Sequence, residues 1–338
     1  MKKDYGSVRK EAARKEFELA RALRSNAHTR SRKKPASVPN KLSRISIFSP
    51  KNRDLCLTNK ERIYPIDKHS VLRIIGRELG SKHRDLLYAF FCLKPEMFTE
   101  LGQTYCLTKT TWRELLTLMK VSFHKNNIRS MLDICTDFQN VVIQVFNGSN
   151  TDDIQEKLAK GLVPSGGFSE NIISSIKWDD ASLDSKVTIR YGAWVQEMFY
   201  KKKLVSLNVH VQFQLKSGYA KSFWPFIDSQ PKYTYIKEDL LAQLVNVDLY
   251  NDKIKEDGST IKKHVVVSSF RRECRKAFDD MVQSGGLKSW SIDKMTMKGE
   301  KSRIYHYEHF LPNSLDIARQ TLAASLELNK KYSAQRLY

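Results

Sequence analysis

The chain has 338 residues, with 58 Lys and Arg against 37 Asp and Glu, a net charge of +21 before any histidine is counted. That length allows two domains of ordinary size plus tails, and 41% hydrophobic residues places the chain with globular rather than wholly disordered sequences. No run approaches the roughly 18 apolar residues of a membrane span. The charged N-terminus has no apolar stretch behind it, so the expectation is a cytoplasmic protein, neither membrane-bound nor Sec-secreted. Cys56, Cys92, Cys106, Cys135 and Cys274 never form CxxC and are read as reduced structural thiols. A surplus this basic points to a polyanionic partner, nucleic acid first.

The charge is concentrated at the start, where residues 1–60 carry 17 Lys and Arg against 5 Asp and Glu, a net +12. Helix formers over 7–27 have only a thin apolar face, and 29–50 is rich in Ser, Pro and basic residues. This reads as a basic, partly disordered arm able to release counterions from nucleic acid without a fold. A solubilising tail is the plainer alternative.

Farther on the chain becomes periodic. Val71, Leu72, Ile74, Ile75 and Leu79 predict a helix over 69–79 with Gly80 as its C-cap, and Ser81 opens a second helix that stops before Pro95. A short strand at 104–107 precedes a helix capped by Thr110 or Thr111, a helix over 124–138 and a strand over 141–146. A loop at 161–167 and strands at 171–178 and 185–191 follow. A helix over 208–227, a strand at 233–235, a short helix over 237–245, a loop at 246–260 and a long helix over 263–281 come next. Strands over 287–292 and 302–310 flank a tip at 297–301, and a final helix covers 314–330.

Tyr105, Leu115-Leu116, a helix and 141–146 are matched by Tyr233, Leu240-Leu241, a helix and 287–292, with the tyrosines 128 residues apart. Helix, short strand, helix, helix and hairpin is the winged-helix order, used twice. Two unrelated small α+β domains are the alternative. The segments FQLKSGYAKSFWPFI, YTYIKEDLLAQLVNV, SFRRECRKAFDDMV and the strands LKSWSI and RIYHYEHF resemble the plasmid replication initiators built from two tandem winged helices. The resemblance is closest over 209–310. The expected fold class is α+β, with an N-terminal arm at 1–60, a first winged helix and connecting segment at 61–185, and a second winged helix at 186–338. The resemblance implies binding to repeated sites in double-stranded origin DNA, origin opening, recruitment of a host initiator and replicative helicase, and self-association through the first domain. A winged-helix repressor or partition protein is the competing expectation, and a nicking or recombining enzyme a more distant one.

At 100° per residue Val267, Phe270, Cys274, Ala277, Phe278 and Met281 share one arc of the long helix. Ser268, Arg272, Arg275 and Lys276 take the opposite arc, with Lys262, Lys263 and His264 at the N-terminal end. That division suits a recognition helix, whose Arg and Lys reach guanine edges and phosphates. Lys298, Lys301 and Arg303 make the hairpin tip a basic wing. In the first domain Lys120, Lys125, Asn126 and Arg129 are candidate contacts, with His124 and Ser130 beside them, but Asp133 and Asp137 are expected on the same face and should repel phosphate.

No GxxxxGK[ST], GxGxxG or HExxH occurs, His210 has no adjacent histidine, and His306 and His309 fall on opposite faces if their segment is a strand. Asp179-Asp180 and Asp279-Asp280 read as turn and surface charges. No catalytic residue, metal or cofactor is expected.

Overall fold

The computed structural model describes residues 36–309 apart from 46, 52–54, 57–59, 94, 101, 165, 231–232, 255–257 and 298–299. The helices expected over 7–27 and 314–330 lie outside these residues. Strand β1 (Ala36–Pro39) and the segment after it are buried through Ala36, Val38, Leu42, Ile45, Ile47 and Phe48. The expected arm therefore cannot extend to residue 50 or 60. Apolar residues too sparse to stand out among Ser and Lys each land on the core, and their burial overrides the local polarity.

The chain continues through β2 (Lys60–Asp67), β3 (Ser70–Gly76), α1 (Ser81–Cys92), β4 (Glu96–Glu100), β5 (Gln103–Thr111), α2 (Trp112–Met119) and α3 (Lys125–Asn140). Next come β6 (Val142–Asn147), α4 (Thr151–Ala159), β7 (Gly167–Asn171), β8 (Ile173–Trp178), β9 (Lys186–Tyr191), α5 (Ala193–Tyr200) and β10 (Leu204–Leu207). The remainder is α6 (Val209–Gln214), α7 (Gly218–Ser229), β11 (Tyr235–Lys237), α8 (Glu238–Leu244), the short pair β12 (Lys253–Ile254) and β13 (Thr260–Ile261), α9 (Lys263–Gln283), β14 (Leu287–Met297) and β15 (Glu300–His309).

Where a helix was expected over 69–79 the chain is a strand. β3 lies between β2 and β6 in an antiparallel sheet of order β2-β3-β6-β7. Leu72 and Ile74 enter the main core, while Val71 packs with Phe146 and Ile154 under α4. With both faces covered the alternation of a strand disappears, and Val71, Ile74 and Ile75 mimic helical spacing. Gly80 precedes α1 as its N-cap instead of ending a helix.

Two winged helices are present, making the fold α+β as expected. In the second, α7 is followed by β11, α8, α9 and the hairpin β14–β15, in a sheet of order β11-β15-β14. In the first, α1 is followed by β5, α2, α3 and the hairpin β8–β9, in a sheet of order β4-β5-β9-β8. The first wing is therefore β8–β9, not 141–146. β6, α4 and β7 are an insertion between α3 and the wing, and they complete the other sheet. A boundary at 185/186 would cut this hairpin, so the first winged helix runs on through Tyr191.

Local chemistry sets several ends. The Thr111 hydroxyl accepts from Glu114 N at 3.2 Å and Thr110 donates to Glu114 Oε2 at 2.8 Å, which caps α2. The expected single helix over 208–227 is two, because the buried Asp280 carboxylate accepts from Lys216 N (2.8 Å) and Ser217 N (2.7 Å) between them. Asp280 is thus an internal anchor, not a surface charge.

Candidate nucleic-acid interface

Helix α9 is held in the second module by a buried stripe of Phe270, Cys274, Ala277, Phe278 and Met281. Phe278 stacks on Tyr305 of β15 at 5.2 Å and packs on Trp290 of β14 at 5.4 Å. Two large aromatics on the hairpin therefore fix the helix relative to its wing. Val267, expected in the stripe, is only half-buried and borders a cleft of about 1170 Å³.

Lys262, Lys263, His264, Ser268, Arg272, Arg275 and Arg303 line that cleft together, as the sequence suggests. Lys276 does not, and its Nζ pairs with Glu273 at 2.9 Å. Lys298 and the side chain of Lys301 lie outside the described residues. Arg303 stands opposite Lys294 on β14, and Lys294 is exposed, a wing cation that the sequence pattern does not mark. The hairpin extends well past the expected strand end at 292, which is what brings Lys294 onto the paired part of the wing.

The cleft's cations are not equivalent. Arg271, which helical phase does not distinguish, makes a fork to Glu238, Nε–Oε1 2.6 Å and Nη2–Oε2 2.7 Å. Glu238 is only 2% exposed, so this arginine serves the fold first. Arg272 is exposed, with Glu273 at 3.5 Å, and Arg275 is exposed one turn on. These two are available to a ligand. The segment between α8 and α9 forms another wall of the cleft. Asp252 accepts from Lys263 N at 2.7 Å and pairs with Lys262 at 3.1 Å. The N–H of Lys263 and the Lys262 ammonium hold the Asp252 carboxyl below its ordinary range. Lys263 Nζ sits over the exposed Tyr250 ring at 5.6 Å. Tyr250 is legible in the sequence only as a loop residue, because nothing local reveals that its loop returns to the start of α9.

In the first module the His124 side chain caps α3 by accepting from Asn126 N at 3.1 Å. Lys120, Lys125, Asn126 and Arg129 are exposed, as is Asp133. Asp137 is not on that face. It is buried, pairing with Arg77 Nη1 (2.8 Å) and His83 Nε2 (2.9 Å). The first wing is acidic at its tip, where Asp184 forks to Arg113 of α2 at 2.6 and 2.9 Å. None of the first-module candidates joins the cleft of the second.

Among the described residues no group of three or more His, Cys, Asp or Glu is placed to hold a metal. His306 and His309 do lie on opposite faces of β15, with His306 against Asp293 at 3.0 Å and His309 against Trp224 and Tyr307. No described helix is long and apolar enough to cross a membrane.

No family model and no curated protein matches the chain. Among solved structures the chain is similar to the Pi initiator protein in complex with iteron DNA, with 16% identity, TM-score 0.45, and 68% of this chain and 90% of that one covered. It is also similar to domains 2 and 3 of RctB, with 9% identity, TM-score 0.49, and coverage of 80% and 98%. A second structure of those RctB domains is similar at 8% identity and TM-score 0.46, covering 80% of this chain and 96% of that one.

Proposed function

We propose that the chain is a sequence-specific DNA-binding protein that initiates plasmid replication by binding repeated sites at an origin in the cytoplasm. The observation that carries this is the second module's cleft. A helix seated by aromatic stacking turns Ser268, Arg272 and Arg275 outward, beside a wing bearing Lys294 and Arg303. Arginine can pair both acceptors of a guanine edge, while lysines at the helix start and wing meet phosphate. The first module's α3 offers Lys125, Asn126 and Arg129 for a weaker or differently angled contact. Origin opening and recruitment of host initiator and helicase follow from the sequence resemblance, as does self-association. The protein acts by binding and bending, with no bond-breaking chemistry of its own.

Footprinting the full chain on DNA flanking its own gene tests this. Tandem direct repeats are the expected result. Protection of one inverted repeat at a promoter supports a repressor instead, and no protection defeats the DNA-binding reading. Supercoiled origin DNA incubated with the protein and Mg²⁺ or Mn²⁺ should stay unnicked, and a covalent tyrosyl–DNA adduct would overturn the absence of chemistry.

A further inference from the structure

The first helices of the two modules, α1 and α7, meet across a buried seam that carries charged and polar side chains among its apolar ones. Arg84 and Asp85, consecutive on α1, are 3% and 7% exposed. Arg84 Nη1 donates to Ser222 Oγ of α7 at 2.9 Å, its Nη2 donates to Phe48 O at 3.1 Å, and its guanidinium lies over the Phe48 ring at 5.2 Å. Asp85 pairs with Lys221 of α7 and accepts from Gln212 Nε2 of α6 at 3.2 Å. Gln212 is fully buried, and its Nε2 also reaches Lys221 O at 3.4 Å, the carbonyl that Pro225 leaves without a helical donor. One α1 dipeptide thus sends opposite charges into the seam, where Asp85 meets the Lys221 ammonium and Arg84 meets the Ser222 hydroxyl of α7 and the Phe48 carbonyl of the N-terminal segment.

The N-termini of both helices also converge on a single dipeptide. Lys51 O accepts from Ser81 N at 3.3 Å, and a Cβ on Gly218 would stand 1.6 Å from Pro50 O. β1 pairs with β10, the strand that leads into α6, so the same N-terminal segment is stitched to the link between modules.

Apolar packing alone is non-directional and could slide by a side chain's width at little cost. Hydrogen bonds are directional, and a buried charge displaced from its partner stays desolvated, so this seam has one register. We propose that the seam is a ruler, fixing the separation and phase of the two DNA-reading helices and thereby selecting the spacing between the two halves of a bound site. This rests on the DNA-binding reading above, and it assigns Asp85 and Lys221 as positioning residues that touch no DNA.

The test uses the full chain and footprinted duplexes carrying 2-base-pair insertions or deletions between the halves. Each step of spacing displaces one half along and around a stiff duplex, so a rigid protein should lose affinity by about tenfold or more, because a linked second contact contributes only if geometry permits both. Lys221→Met should reduce that penalty to about threefold or less while leaving affinity for the half read by α9 within about twofold. Lys221→Arg should restore the wild-type penalty. An undiminished penalty in Lys221→Met, or no penalty in wild type, overturns the ruler. Since Lys221→Met could unfold, a second arm uses wild type alone. Spin labels encoded at exposed Lys177 and Ser291 should give one narrow distance distribution without DNA, and a broad or two-peaked one overturns the ruler. This arm separates the two claims, because failure to bind any duplex defeats only the DNA-binding reading.

Discussion

Arg271 and Arg272 are neighbours on α9 with opposite duties. Arg271 neutralises a carboxylate that has no other way out of the core, whereas Arg272 projects into solvent with only a loose contact to Glu273. Arg271→Ala should cost about 3 kcal/mol by urea unfolding, since it strands Glu238 as a buried unpaired charge. Arg272→Ala should stay within about 0.5 kcal/mol of wild type in stability. It should weaken cognate binding and lose about 1–3 kcal/mol of discrimination at one base position, read by comparing cognate and scrambled duplexes at one salt concentration. An intact cognate-to-scrambled ratio would mean that α9 is not the recognition helix. Lys294→Ala in the wing should weaken both duplexes about equally. The two aspartates of α3 separate in the same way. Asp133→Ala should leave stability unchanged and slightly strengthen non-specific binding, while Asp137→Ala should destabilise by releasing Arg77 and the buried His83. Helical phase places both aspartates outward because it cannot know that Arg77 and His83 close over one of them.

The element with the largest consequence is the N-terminal segment from β1 to Lys51, which packs in the seam. Its hold is reinforced by Glu78, whose Oε2 accepts from Cys56 N at 2.9 Å and faces Lys51 at 3.7 Å. Burial pushes the Glu78 carboxyl up, but the Cys56 N–H, the Ser49 hydroxyl and the Lys51 and Arg62 charges outweigh it and hold it below its ordinary value of 4.5. A carboxyl depressed in the fold stabilises above that ordinary value and loses its contribution as pH falls through the lower one. Glu78→Gln should therefore flatten the acid side of a stability-against-pH curve, and a curve parallel to wild type below pH 4.5 would count against this role. Truncation isolates the contribution of the segment from β1 to Lys51. Removing residues 1–35 should leave a cooperative fold and lower the slope of log K against log salt by about 0.9 for each phosphate that the shortened chain no longer neutralises. Removing 1–50 should abolish cooperative unfolding, because it withdraws Val38, Ile47 and Phe48 from the core. Gly218→Ala is a finer probe of the same packing, since its methyl must displace the Pro50 carbonyl, and a destabilisation of about 1–3 kcal/mol is expected in thermal or urea melts.

Across the molecule, residues 1–60 hold +12 of the net +21, and the charge beyond them is unlike at the two wings. The second wing bears Lys294 and Arg303, while the first carries Asp184 at its tip and ties Arg113 to it. Binding should therefore be anchored by the second module and adjusted by the first. The five cations Lys262, Lys263, Arg275, Lys294 and Arg303 would together give a salt slope of about −4.5 if each met a phosphate. Titrations of the chain lacking residues 1–35 over a range of salt check this, and a slope near zero would mean that neither the cleft nor the wing meets phosphate.

The α+β class and the double use of a helix–strand–helix–helix–hairpin order are written in the sequence. So are the inward and outward faces of α9, because all of these rest on periodicity and caps within a few residues of each other. The stripe from Phe270 to Met281 and the cap at Thr111 are local facts, legible without any partner. That 70–76 is a strand emerges only on folding, since covering it from both sides erases its alternation. The interruption of the first winged helix by β6, α4 and β7 emerges in the same way, since an insertion shows itself by which strands pair across it. The fates of Asp137, Asp280, Arg271 and the Arg84–Asp85 pair are likewise set by partners distant in sequence. A charge written in a sequence has a sign and a phase, but whether it faces solvent depends on what folds over it.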